Sequence, residues 1–241
     1  MLAVAKAVLL YVAPLLALTS FLLNLFVLLA PTMMFKDSVS LAQIHPAVID
    51  LATKTAAKSK DIDGPSVLVG LLGSCARQTS DVAFWCTSPS FAATYNMTVI
   101  PSSIPTFLTA PVAATPVFAI IALVIFAAFV PLFTLSALRE KLPARMGATF
   151  SKQGMSNALA WAGVLSWLIL TTVYLVMRMW LGRAVEDTNT QIFHLGKAAP
   201  QLQAEVSNGF TMIWVAQAFA AVPIVCALSK LHMASVPAGK V

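Results

Sequence analysis

Cys75 and Cys86 are the two side chains best placed to do chemistry with each other. They sit on the arms of a stretch in which Val67-Leu68-Val69 and Val82-Ala83-Phe84-Trp85 flank polar Arg77-Gln78-Thr79-Ser80-Asp81. An apolar run, a polar centre and a second apolar run read as a β-hairpin. Cysteines on two such arms can come within disulfide reach, and that bond persists only in an oxidising compartment. The alternative is a pair of unlinked thiols in a soluble core. Downstream, Asn96-Met97-Thr98 forms an N-glycosylation sequon. Three-residue patterns arise often by chance, and its place beside the cysteine pair adds weight.

Other chemistry is thin. The histidines are His45, His194 and His232, and no two have metal-ligand spacing. His45 precedes Pro46 and reads as a loop residue; His45 or His194 as a pH sensor is the lesser reading. There is no Gly-x-Ser-x-Gly elbow and no glycine-rich phosphate loop. Catalytic residues, metal ligands and cofactors are therefore not expected, and neither is enzymatic activity.

The elements that must position the cysteines are apolar. Of 241 residues, 59% are apolar and 10% are charged, against about 25% charged in a soluble domain. So few charges cannot cover a water-exposed surface. No basic run is interleaved with exposed aromatics, which argues against nucleic acid as a partner.

Four apolar stretches read as membrane spans: 7–30, 116–138, 157–177 and 210–228. The first covers roughly 36 Å as a helix, enough to cross a bilayer. It is too long for the apolar core of a cleaved signal peptide, so a retained helix is expected. Thr19, Ser20 and Asn24 within it are expected to hydrogen-bond a neighbouring helix. Pro131 should kink the second span. Ala158, Ala160, Ala162 and Gly163 in the third predict close helix approach. Cys226 in the fourth reads as a packing residue. No span centre carries Asp, Glu, Lys, Arg or His, which argues against a charge-moving transporter.

Between spans, 31–115 forms a long loop. Its segment Pro46–Lys60 reads as a short helix, with Asp50 and Lys54 one turn apart, and Thr94–Ile100 as a further strand. The short connection 139–156 carries Arg139, Lys141, Arg145 and Lys152, and the tail 229–241 adds Lys230 and Lys240. Basic residues in short loops mark the cytosolic side. That places 1–6, 139–156 and 229–241 in the cytosol, and 31–115 and a polar loop at 178–209 outside. The cysteines and sequon fall outside, in agreement with the redox argument. The four basic residues are also candidate contacts for anionic lipids. Trp161, Trp180 and Trp214 are candidate interfacial residues.

Gly70-Leu71-Leu72-Gly73-Ser74-Cys75, followed by Cys86-Thr87-Ser88-Pro89-Ser90 in the first outer loop of a four-span chain, resembles the claudin-like group. Animal claudins usually have Gly-Leu-Trp before the first cysteine; Leu72 stands where that tryptophan is expected. The pattern is more similar to the fungal cortical-patch tetraspans and their relative PalI, the pH-response protein. The family motif residues are Gly70, Leu71, Gly73, Cys75 and Cys86. The resemblance implies an all-α transmembrane four-helix bundle with a small extracellular antiparallel β-sheet in the first outer loop, stapled by Cys75–Cys86. It further implies a plasma-membrane protein that organises membrane domains or wall contacts. The partners implied are membrane lipids, further copies of the chain or other membrane proteins. An accessory role in ambient-pH signalling and a channel or fusion role are the alternatives. PalI-type proteins often carry a long cytosolic tail, so the short segment after the fourth span favours membrane organisation.

Overall fold

The computed structural model describes residues 11–50, 55–57, 63–101, 108–138, 143, 153–195 and 201–235. The basic residues Arg139, Lys141, Arg145 and Lys152 lie outside them, as do residues 1–6 and the first four residues, 7–10, of the first expected span. Four helices are described: α1 (Ala13–Leu29), α2 (Ala114–Ala137), α3 (Gln153–His194) and α4 (Gly209–Ser235). Ala114–Ala137, Gln153–His194 and Gly209–Ser229 are long and apolar enough to cross a membrane; α1 is apolar and shorter, at 17 described residues. Large apolar side chains point outward along all four, among them Leu15, Val124, Leu165 and Val225. A helix in water would carry polar residues there. The chain is a membrane protein.

The third helix overruns its expected end at 177 by seventeen residues, to His194. The cause is visible in its spacing. Leu181, Ala184, Val185, Thr188 and Ile192 are buried, while Arg183, Glu186, Asp187 and Thr190 are exposed. Polar residues that read as a loop are the outer face of an amphipathic helix.

The chain divides into two compact units. One comprises Met1–Leu25, Phe118–Thr172 and Ile213–Val241 and, where described, is helical except at Leu138 and Pro143. Phe126, Phe129 and Phe133 stack along α2, with ring centroids 5.6 and 5.4 Å apart. They pack with Leu159, Ala160, Ala220 and Ile224. Gly163 lies against the Phe129 ring so closely that a Cβ would sit 2.8 Å from Cε2. Gly163 and Ala160 of α3 thus serve close approach, as expected of them. Ala160 is fully buried, whereas Ala158 is exposed. Cys226 packs against the same core. The second helix remains helical through Pro131 to Ala137.

A polar network joins three of these helices. Asn24 donates to the Ser20 carbonyl at 2.9 Å, and Gln217 donates to Asn24 Oδ1 at 3.3 Å. The Thr171 hydroxyl donates to Gln217 Oε1 at 3.3 Å, and the Trp167 indole N–H to the Gln217 carbonyl at 3.1 Å. Ser20, Asn24 and Gln217 are buried. Asn24 therefore finds the interhelical partner expected of it. Such bonds contribute about 0.6–1.7 kcal/mol in membrane bundles, and orphaning one partner costs more than removing both. Asn24→Leu alone and Gln217→Leu alone are each expected to destabilise the helical unit more than the double replacement does. A double-mutant cycle in detergent or bilayer unfolding measures this; strict additivity would show that the pair is not coupled.

The other unit comprises Phe26–Val117 and Val173–Met212 and holds the sheets. Strands β1 (Ala42–Pro46), β2 (Val48–Asp50), β3 (Thr55–Ala57), β4 (Ser66–Val69), β5 (Ser74–Arg77), β6 (Trp85–Cys86) and β7 (Leu202–Val206) form two antiparallel sheets. The larger has the order β6-β5-β4-β1-β7, and β2 pairs with β3. The helix expected over Pro46–Lys60 is instead strand in its described part. Val48, Ile49 and Thr55 are β-branched and suit a pleated surface better than a helix turn. Residues 51–54 and 58–62 lie outside the described set. The strand expected over Thr94–Ile100 is irregular. There the Asn96 side chain accepts the Thr98 N–H at 3.1 Å, and Ile100 N–H bonds back to the Met97 carbonyl at 3.0 Å. Local side-chain bonding of this kind displaces a sheet ladder.

Candidate functional site

The sheet-bearing unit brings together the residues singled out from the sequence. The β5–β6 pairing sets Cys75 opposite Cys86, and the two form a disulfide with Cα atoms 4.0 Å apart. Cys75 is fully buried, and its sulfur lies 3.5 Å from the Pro31 carbonyl oxygen. The hairpin is smaller than the apolar arms suggest: β4, not the Val82–Phe84 arm, supplies the long partner of β5, through the pairs Val67↔Ala76 and Leu68↔Cys75.

The motif glycines are explained by packing. Gly70 N–H donates to the Gly73 carbonyl at 2.9 Å, closing the turn between β4 and β5, and Leu71 and Leu72 are buried. A Cβ on Gly70 would collide with the Ala30 carbonyl oxygen and Pro31 Cδ. A Cβ on Gly73 would collide with the Thr87 hydroxyl and approach Thr32 Cγ2 to 2.9 Å. Thr87, next to Cys86, accepts Ser74 N–H on its hydroxyl at 3.0 Å and donates its own N–H to the Ser74 carbonyl at 2.9 Å. The Tyr95 hydroxyl donates to the Gly70 carbonyl at 2.9 Å, and burial pushes its phenol well above the ordinary range. Asn96 N–H donates to Ser74 Oγ at 2.7 Å. Gly70 through Cys75 is thus a knot on which three other chain segments converge, Ala30–Thr32, Cys86–Thr87 and Tyr95–Asn96.

Beyond the knot, the chain between β5 and β6 is pinned near its middle. Ser80 N–H donates to Asp63 Oδ1 at 2.6 Å, and this bond, first among the causes, holds the Asp63 carboxyl below its ordinary range. The Arg77 guanidinium lies over the Phe84 ring at 4.6 Å. Val82, Trp85 and Phe91 are left exposed, Trp85 at 66%. Trp85 lies on the edge strand β6, and Val82 and Phe91 precede and follow it in the chain.

The opposite edge is closed. The ladder with β1 turns the backbone groups of Gln203 and Glu205 inward and those of Ala204 outward. The Asn189 side chain on α3 takes both outward groups: its amide donates to the Ala204 carbonyl and its oxygen accepts the Ala204 N–H, each at 2.9 Å. A side-chain amide thus stands in for the missing strand, one way natural sheets blunt an edge. Asn189→Ala is expected to destabilise this unit by about 1–3 kcal/mol, since two backbone groups lose their partners. Asn189→Asp keeps the acceptor and loses the donor. Hydrogen exchange at the Ala204 amide should accelerate in the alanine variant, and unchanged exchange would refute the capping role.

Sequence reading missed β7, although Leu202, Ala204 and Val206 alternate with Gln203 and Glu205 in the period of a half-buried strand. At the β1–β7 seam, His45 Nδ1 lies 3.7 Å from Glu205 Oε1, which also accepts a hydrogen bond from Gln43. His45 is therefore a buried strand residue rather than a loop one, and His194 is exposed at the end of α3. Among the described residues, no group of three or more His, Cys, Asp or Glu could hold a metal ion. Trp161 and Trp180 are exposed, and Trp214 marginally so. Arg178, one turn before Gly182, lies 5.5 Å from the Phe210 ring centroid. No model of a known protein family matches the chain, and no curated protein matches it.

Proposed function

We propose that the chain is a non-enzymatic four-span protein of the plasma membrane that organises membrane domains or surface contacts. It associates laterally through its helices and presents the disulfide-closed sheet outside the cell as a recognition lobe. The observation that carries this reading is the lobe itself. Its interior holds the motif residues in structural roles, and its exposed surface offers Val82, Trp85 and Phe91 on and near the edge strand β6, while Asn189 caps Ala204 at the other edge. The four apolar helices and the Cys75–Cys86 bond support the claudin-like, cortical-patch arrangement implied by the motif. Asn24, Gln217 and Thr171 of the helical unit bond to one another, and its outer faces carry apolar side chains for lipid or for neighbouring helices.

The test is imaging of a fluorescent fusion in the cells that make the protein, combined with crosslinking in the intact membrane. The expected result is a patchy distribution with defined crosslinked species. A variant carrying Val82→Ser, Trp85→Ser and Phe91→Ser should disperse the patches while keeping surface delivery. Uniform distribution of the unaltered protein, with no crosslinked species, would overturn the reading.

A further inference from the structure

We propose that Asn96 is an N-glycan acceptor, presented by the lobe beside Ser74, the first residue of β5. The sequon alone is a three-residue pattern; the geometry adds three observations. First, the Thr98 hydroxyl donates to Asn96 Oδ1 at 2.7 Å and Thr98 N–H to the same oxygen at 3.1 Å. Together with the backbone bond to Ser74 Oγ at 2.7 Å, these engage the oxygen and the main chain and leave the reactive amide nitrogen, Nδ2, out of the bonding among the described residues. Second, Asn96 is half-exposed and Thr98 exposed, so a bulky, hydrated substituent meets no packed core. Third, the flanking residues are anchored, by Tyr95 to Gly70 and by Asn96 to Ser74. The attachment point is therefore fixed relative to the disulfide.

Register gives the substituent a place. Ser74 is the first residue of β5, and Trp85 pairs with Ala76, two residues further along it. A glycan at Asn96 is therefore attached beside the Gly70–Gly73 turn, to which Tyr95 and Asn96 are tied. The co-reactant is an oligosaccharide joined through its C1 to a lipid diphosphate. The Nδ2–C1 bond forms as the C1–O bond to the diphosphate breaks. The lipid diphosphate leaves with the bonding electron pair, and Nδ2 gives up one proton to the base of the transferase.

The inference rests on the lobe lying outside the cytosol, and the test separates the two. The full chain, expressed in eukaryotic cells, is digested with an N-glycan-specific endoglycosidase and its mobility compared before and after. One discrete downward step is expected. Asn96→Gln and Thr98→Ala should each abolish the step, whereas Thr98→Ser, which retains the sequon, should preserve it. Gln78→Asn, at an exposed position in the same lobe, creates a second sequon, Asn-Thr-Ser. Two steps in that variant support the proposal. A step in Gln78→Asn with none in the unaltered chain overturns the Asn96 assignment while leaving the orientation standing. No step in either overturns both. A step that survives Asn96→Gln places the glycan elsewhere and also refutes the proposal.

Discussion

Replacing Cys75 and Cys86 together by alanine is expected to lower the stability of the sheet-bearing unit by roughly 3 kcal/mol, the loop-closure value for a short cross-linked loop. Their sequence separation is 11. The effect should be local to that unit. The bond ties β6, only two residues long, to β5. Beyond it, β6 is held by the Thr87–Ser74 bonds and the Ala76↔Trp85 pair. Without the bond, the chain from Ser80 to Ser90 should become the first part of the lobe cut by protease. Cys75→Ala alone should behave nearly like the double variant but leave a reactive thiol at Cys86. Limited proteolysis of the detergent-solubilised protein, with and without reductant, provides the measurement. Equal resistance of the unaltered protein and both variants, with and without reductant, would show that packing around Gly70–Gly73 holds the lobe without the bond.

Legibility in the sequence followed the strength of the local physical signal. Long charge-free runs leave little choice of structure, and α2 lies within two residues of its expected bounds. The cysteine pair was legible because two short β-prone arms flank a polar turn. What sequence reading missed depends on partners distant along the chain. Leu202–Val206 becomes a strand because β1 lies beside it, 160 residues earlier along the chain by the Ala204↔Ile44 pairing. The helical extension to His194 was obscured by charge, although its buried residues recur at helical spacing. Gly70 could be read as part of a motif, but not as the point where the Ala30–Pro31 backbone passes. Only the fold brings those atoms together.

That crossing makes Gly70→Val the most damaging single change expected in the sheet-bearing unit. Overpacking a buried site usually costs about 1–3 kcal/mol when side chains can shift. At Gly70 the obstacle is backbone: besides the carbonyl oxygen, the Ala30 carbonyl carbon lies 3.0 Å from the position a Cβ would take. Backbone cannot rotate away, and Ala30 is itself buried. Gly70→Ala should therefore exceed that range, and valine should prevent the lobe from closing. Gly73→Ala meets the Thr87 and Thr32 side chains, which can move, so its cost should be smaller. Gly154 near the start of α3 has no atom within 4 Å of a Cβ. Gly154→Ala should be neutral or stabilise by up to about 1 kcal/mol, from helix propensity. The expected order of damage is Gly70, Gly73, Gly154, read as thermal stability in detergent and as surface delivery in cells. Tolerance of Gly70→Ala alongside sensitivity of Gly154→Ala would mean that the first glycine of the motif does not serve close packing. Its place before Cys75 would then have to reflect contact with something other than this chain.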